Sequence, residues 1–305
     1  MAITAQMVKE LREMTSAGMM DCKKALAETN GDMEAAVKFL REQGLMKQEK
    51  KAGRIAAEGI AMTASSDDSK SAAIVEVNSE TDFVAKNQEF VNFAQGLCEL
   101  QLSGDFNEDV EALKAAKFPG SDDDVDTTLK TLIAKIGENM TLRRIAKLSV
   151  DKGVVATYLH AGGKIGVLLA MESEGDKAEL EALGRDIAMQ VASMNPKFIS
   201  SDDVDADFIA NEKEVLMQQA INEGKPANIA EKMVEGRLNK ELKEVCLLEQ
   251  EFVKDSDFTI KSLIADKAKA LGADIKVVAF KRFEVGEGLE KKQENFAEEV
   301  AKQMK

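Results

Sequence analysis

The chain has 305 residues, 44% of them hydrophobic, and its 55 acidic and 41 basic side chains leave a net charge of −14. That length is enough for two or more domains with a well-buried core, and a field of that sign repels nucleic-acid phosphates and anionic lipid over most of the surface. No apolar run approaches the roughly 18 residues of a membrane span, and Met1 to Ala5 look like neither a secretory nor a transit segment, so a cytoplasmic protein is expected. Cys22, Cys98 and Cys246 are far apart and odd in number, which implies no disulfide framework. His160 is the single histidine, and there is no CxxC pair, His/Cys cluster, Walker loop or GxGxxG string. Gly162-Gly163-Lys164 lacks the upstream glycine of a phosphate loop and reads as a hairpin turn. No two carboxylates stand out as an acid–base pair, so no catalytic residue, metal or cofactor is expected.

Three short helices are predicted before residue 51. The first carries Ile3, Met7, Val8, Leu11 and Met14 at helical spacing and breaks at Thr15-Ser16-Ala17-Gly18. The second runs from Met19 to about Glu28 and stops at Thr29-Asn30-Gly31. Asp32 caps the third, which presents Val37, Phe39 and Leu40 and ends near Gly44. A bundle of under about 50 residues has a marginal core, so it leans on a partner or on the rest of the chain. The basic stretch from Lys47 to Lys51 reads as a linker or a helix leading onward.

The middle of the chain holds an internal repeat. Strands are predicted over Gly59–Ala64 and Ala72–Asn78, joined by a turn at Ser65–Ser69. Thr81–Lys86 follows, then a helix through Phe90, Phe93, Ala94 and Leu97. The order recurs with strands Val154–His160 and Ile165–Met171, a turn at Ala161–Lys164, and a helix through Leu180, Leu183, Ile187 and Val191. Two α+β subdomains with small antiparallel sheets are therefore expected, each strand pair covered by a helix. Between them lie an acidic loop, Ser121–Asp126, and a helix with Leu129, Leu132, Ile133 and Ile136 on one face, stopping at Gly137-Glu138-Asn139.

From Asp205 to about Val245 a helical hairpin is predicted. Phe208, Ile209, Val215, Leu216 and Ala220 form the seam of one arm, Ile229, Met233 and Leu238 that of the other, and Gly224-Lys225-Pro226 is the turn. A helix over Ile260–Leu271 stops at Gly272. A strand over Ile275–Phe283 places Val277, Ala279 and Phe283 on one face and Val278 and Phe280 on the other. A last helix holds Phe296 and Val300.

Three strings carry a resemblance. They are Leu11-Arg12-Glu13 with Ser16-Ala17-Gly18-Met19-Met20-Asp21-Cys22-Lys23-Lys24-Ala25-Leu26, then Thr81-Asp82-Phe83-Val84-Ala85-Lys86-Asn87, then Arg282-Phe283-Glu284-Val285-Gly286-Glu287-Gly288. With Ala134–Asn139 and Ala230–Arg237 in support, nearly the whole chain resembles the bacterial elongation factor Ts family, the guanine-nucleotide exchange factors for elongation factor Tu. The resemblance implies a ubiquitin-associated-like bundle over 1–54, core subdomains over 55–150 and over 151–200 with 246–285, a coiled-coil insertion over 201–245, and a C-terminal module over 286–305. The acidic segment 121–126 is longer than the family usually has and reads as a tolerated surface insertion.

On its residues alone, Thr81-Asp82-Phe83-Val84 reads as a helix cap followed by ordinary core. The resemblance implies instead that Asp82 and Phe83, flanked by Thr81 and Val84, protrude into the partner's nucleotide-binding domain, disturb its magnesium and phosphate contacts and release the nucleotide. It implies that Lys9, Arg12, Met19 and Met20 touch the same domain, that Ile136 and Gly137 form a contact near the wedge, and that His160 faces the partner's other domain. Without it, Met19 and Met20 read as core, His160 as a surface or satisfied residue, and Cys22 as a small buried apolar residue. A competing expectation is an adaptor that holds clients through the N-terminal bundle, and a further one is a hidden carboxylate enzyme. The hairpin is either a dimerisation arm or a partner contact, which leaves a homodimer or a two-plus-two assembly open.

Overall fold

In a computed structural model of the chain, the described residues are 3–15, 17–49, 53–224 and 226–290. They form an α+β protein whose centre is two three-stranded antiparallel sheets packed face to face. The first joins β1 (Glu58–Ser65), β2 (Ser71–Ser79) and β3 (Met140–Ser149) in the order 1-2-3. The second joins β4 (Val154–His160), β5 (Ile165–Ser173) and β8 (Ile275–Glu284) in the order 4-5-8. A small hairpin, β6 (Glu251–Phe252) with β7 (Asp255–Thr259), lies apart.

Alternation along the central strands builds the layers. Ala73, Val75 and Val77 of β2 face outward onto α5 (Gln88–Ser103) and α7 (Val125–Ile136), meeting Phe90, Phe93, Leu97, Leu129, Leu132 and Ile133. Ala72 and Ile74 face inward and meet Val155, Leu168 and Ala170 of the other sheet. On the far side, Val167, Leu169 and Met171 pack on α8 (Lys177–Met194) and α11 (Ile260–Leu271). Small residues let the sheets close: a Cβ on Gly166 would stand 2.8 Å from Ile74 Cδ1 and 3.1 Å from the Ala61 methyl. Two backbone bonds stitch them, Ala61 N–H to the Gly163 carbonyl and Val155 N–H to the Ser69 carbonyl, both 2.7 Å.

The repeat is fuller than the sequence indicated, because each hairpin gains a third strand. In both sheets that strand carries one unpaired residue opposite the centre of its neighbour, Arg143 in β3 and Val278 in β8. The extra residue reverses the side-chain alternation. As a result Val277 shares the helix-facing layer with Phe280, while Val278, Ala279 and Phe283 lie between the sheets, which corrects the expected faces of β8. β3 went unpredicted because Arg143, Arg144 and Lys147 interrupt its apolar pattern.

The bulge in β3 serves a buried charge. Adjacent strand residues normally point to opposite faces, yet Arg143 and Arg144 both reach the fully buried Glu76 carboxylate, Arg143 Nη1 at 2.9 Å. The Gly286 N–H donates to it at 2.9 Å and the Asn78 amide at 3.1 Å. Arg144 also lies 4.3 Å over the Phe283 ring and donates to the Glu284 carbonyl, while Arg143 donates to the carbonyl of Glu287. Glu76 thereby fastens the segment after β8 across the end of the first sheet. Gly286 is required there, since at φ 75° an added Cβ would meet the Ala57 carbonyl oxygen at 2.1 Å.

Three further expectations change. The third N-terminal helix, α3 (Met33–Glu49), runs past Gly44 despite the cost of an interior glycine (about 1 kcal/mol) and packs on α7. The acidic segment is built into the fold: Asp124 caps α7, Val125 is buried, Phe118 stacks on Phe93 at 5.3 Å, and a short α6 (Val110–Lys114) precedes it. In the hairpin, α9 (Ala206–Asn222) and α10 (Ala227–Val245) meet through Leu216, Ala220, Ala230, Val234 and Leu238, whereas Val215 and Ile229 are half exposed. The expected turn residue Lys225, and the last helix with Phe296 and Val300, lie outside the described residues.

Burial alone would raise the Glu76 pKa, but the Gly286 N–H and the two guanidiniums outweigh it and hold the carboxyl below its ordinary 4.5. A depressed folded-state pKa stabilises fully above that value and is lost as pH falls through the folded-state value. Glu76→Ala should cost about 1–3 kcal/mol at neutral pH, the penalty for leaving the buried Gly286 N–H and two part-buried guanidiniums without their acceptor, measured by urea unfolding. Glu76→Gln should also be less stable at neutral pH, and the gap to the parent protein should narrow below pH 4.5.

Candidate functional site

Two adjacent residues with opposite fates define the site. After β2 the chain makes one helical turn, α4 (Asp82–Ala85), with Thr81 as its cap. Val84 is 6% exposed and packs with Phe90 and Leu129, whereas Phe83 is 81% exposed, the most exposed large apolar side chain among the described residues. Its placement in the core, read from the residues alone, is therefore wrong: Phe83 lies on the solvent side of the turn and Val84 on the side that packs on the core. Asp82 pairs with Lys86 at 2.8 Å, and that hydrogen bond holds its carboxyl below the usual range.

The turn is held from outside. α7 ends at Gly137 in the left-handed region (φ 92°), and the reversal brings Glu138 against Thr81. Thr81 donates its N–H to Glu138 Oε2 at 3.0 Å and its hydroxyl to Oε1 at 2.8 Å. In return the Asn139 N–H donates to Glu80 Oε1 at 2.6 Å, and Arg54 approaches the same carboxylate at 3.5 Å. The Asn139 amide closes the set on the Arg54 carbonyl at 2.8 Å. Glu80, Glu138 and Arg54 were not singled out from the sequence. The only available signal was a glutamate directly after a helix-stopping glycine.

The end of α7 gathers most of the sequence-predicted residues. Ile136 is half-buried against the core there, and Gly137 supplies the reversal. The N-terminal bundle of α1 (Ala5–Thr15), α2 (Met19–Glu28) and α3 packs on the same helix. A cleft of about 280 Å³ runs between Met14, Val37 and Leu40 of the bundle and Thr127, Thr131 and Ala134 of α7. Ala17, Gly18 and Asp21 border Ala134 and Lys135, which sets Met19 and Met20 beside that end. These two are 58% and 75% exposed, contrary to the core placement expected from the residues alone. Lys9 and Arg12 are exposed on α1, with Lys9 3.8 Å from Glu13.

His160 stands apart. It is exposed at the end of β4 in the second sheet, and its Nδ1 lies 3.2 Å from the Tyr158 hydroxyl. Its carbonyl accepts the Lys164 N–H at 3.1 Å, and the Lys164 ammonium pairs with Glu58. Cys22 is buried, and the buried Cys98 thiol is pushed up to about 12 and donates to the Met62 and Ala73 carbonyls. Among the described residues, no group of three metal-ligating side chains occurs and no helix is long and apolar enough to cross a membrane.

Residues 80–287, from the clamped turn to the segment fastened by Glu76, match the family described as Elongation factor TS. The chain is 60% identical over 303 residues to elongation factor Ts of Clostridioides difficile strain 630, covering 99% of both chains. It is 55% identical over 300 residues to that of Clostridium perfringens strain SM101, with 98% of both covered, and 54% identical over 303 residues to that of Clostridium novyi strain NT. The chain belongs to the elongation factor Ts family. The matched region contains Glu80, Thr81, Phe83, Glu138 and Gly286, whereas Arg54 and Glu76 precede it.

The opposed burial of the two neighbours gives a direct check. Phe83→Ala should change unfolding free energy by no more than about 0.5 kcal/mol, as for an exposed side chain, whereas Val84→Ala should cost about 1–3 kcal/mol. Urea titration followed by circular dichroism would separate them.

Proposed function

We propose that the chain is a guanine-nucleotide exchange factor: it binds elongation factor Tu in its GDP-bound form, promotes GDP release by disturbing the magnesium and phosphate site, and so lets GTP enter during translation elongation. The observation that carries this reading is Phe83, a large apolar side chain left in water on a turn that is held rigid. Burying a Phe is worth about 1.5–3 kcal/mol, so the fold forgoes that gain and a partner can collect it. Thr81 and Val84 hold the turn, while Asp82 and Phe83 enter the partner's nucleotide-binding domain. Met19 and Met20 supply an adaptable apolar contact to that domain, together with Lys9 and Arg12, and Ile136 and Gly137 lie beside the wedge. His160 faces another domain of the same partner.

One wedge is not sufficient. Weakening nucleotide binding by about 10⁴-fold takes roughly 5.5 kcal/mol of differential affinity, so the remaining contacts must also favour the nucleotide-free partner. Linkage then makes returning nucleotide expel the factor by the same ratio. No bond is broken in this cycle, which needs no catalytic residue and no cofactor. On this reading 1–54 is the ubiquitin-associated-like module, 55–150 and 151–200 with 246–285 are the core halves, 201–245 is the coiled-coil insertion, and 286–305 is the C-terminal module.

Stopped-flow release of a fluorescent GDP from elongation factor Tu tests it. The chain should accelerate release with saturation, and Phe83→Ala should lower the acceleration about ten- to a hundredfold, the equivalent of the lost burial. A Phe83→Ala protein at full speed would remove the wedge and leave family membership untouched.

A further inference from the structure

Building on the wedge reading above, we infer that Glu138 is a positioning residue for nucleotide release, its carboxylate holding the Phe83 turn in the orientation that enters the partner. The turn cannot hold itself. α4 has four residues, and so short a helix fixes several backbone dihedrals for very few internal hydrogen bonds. Its internal cap is long, with Thr81 Oγ1 accepting from the Val84 N–H at 3.5 Å, beyond the range of a strong bond. The Asp82–Lys86 pair is exposed, and exposed ion pairs fix little.

What restrains the turn comes from α7. Glu138 uses both carboxylate oxygens on one residue, taking the Thr81 N–H and hydroxyl at 3.0 and 2.8 Å. One group therefore sets the backbone and the side-chain rotamer of the cap together, and the ionised acceptor strengthens both bonds. The helix behind it is a rigid base, with Val125, Leu129, Leu132 and Ile133 buried in the core. Glu80 returns the bond to Asn139 at 2.6 Å, so the two loops are clasped from both sides. Val84 and the partly buried Ala85 anchor the inner face of the turn, and Ser79 Oγ donates to the Thr81 carbonyl at 2.9 Å. The Glu138 clamp adds the restraint on the Thr81 N–H and hydroxyl together. Misplacing a positioned group by about 1 Å costs on the order of a hundredfold in rate, so the loss should appear in the speed of release rather than in the strength of association.

The test uses full-length Glu138→Ala and Glu138→Gln proteins in the GDP-release experiment. Glu138→Ala should lower the saturating release rate at least about tenfold (about 1.4 kcal/mol) while the half-saturating concentration moves less than about threefold. Glu138→Gln should recover to within about threefold of the parent rate, because its amide oxygen can accept the Thr81 N–H while its amide N–H donates to the hydroxyl. Parent speed in Glu138→Ala, or a change in half-saturation alone, would overturn the assignment. A second readout needs no partner: the chain has no tryptophan, so Phe83→Trp supplies a single tryptophan at the wedge, excited beyond the absorption of Tyr158. Its nanosecond depolarisation should increase when Glu138→Ala is added, and equal depolarisation in the two proteins would overturn the clamp. A parent protein without effect on GDP release would overturn the exchange function instead, so the two failures are distinguishable.

Discussion

The contact between the two sheets is the constraint on which the rest of the molecule depends. Each sheet is buried on both faces, by helices outside and by the other sheet inside, and that is possible only because the inner faces are lined with small residues. Ala61, Ala72, Ala146, Ala170 and Gly166 let the backbones approach, while Ile74, Leu168 and Phe283 fill the remaining space. The helices, the clamped turn and the helical hairpin are all carried by this double layer. The layer also protects the edge strand β1, whose Ala61 N–H finds the Gly163 carbonyl across the sheets.

Two glutamates show different uses of a carboxylate on this scaffold. Glu76 is fully buried and meets two guanidiniums and a backbone N–H, an arrangement possible because the β3 bulge turns Arg143 toward the same side as Arg144. It joins the segment after β8 to the first sheet, which ties the end of the described chain to its centre. Glu138 lies at a helix end and meets only the cap of a single turn. The first carries stability, and the second carries geometry. Removing the first takes the shared acceptor from two part-buried guanidiniums and a buried backbone N–H, whereas removing the second leaves groups that water can reach.

A side chain such as Phe83 has a physical cost to the isolated protein, because apolar surface in water is unfavourable. It is tolerated where the backbone beneath it is over-determined. Here Val84, Glu138 and the Asn87 cap of α5 fix the turn on three sides. The bundle that presents Met19 and Met20 rests on the same helix that supplies Glu138. α7 therefore packs against the bundle along its length and supports the clamped turn at its end.

The sequence by itself determined the α+β class, the repeat, and the bounds of β4, α2 and α11, because these rest on local periodicity and on stop signals such as Gly31 and Gly272. It also carried the family, through strings that keep their order. It did not determine which of two neighbouring residues is inside. Read from its residues alone Phe83 looked like core, and only the resemblance placed it outside, since the burial of a residue on a single helical turn depends on the elements packed around it. β3 was hidden because its two arginines serve a partner 67 and 68 residues away in sequence, and no local pattern encodes such a partner. The bulge at Val278 reversed an alternation that was regular in the sequence of β8. Only tertiary structure decided those faces, because the register between strands is fixed by the neighbouring strand and by the layer against which both pack.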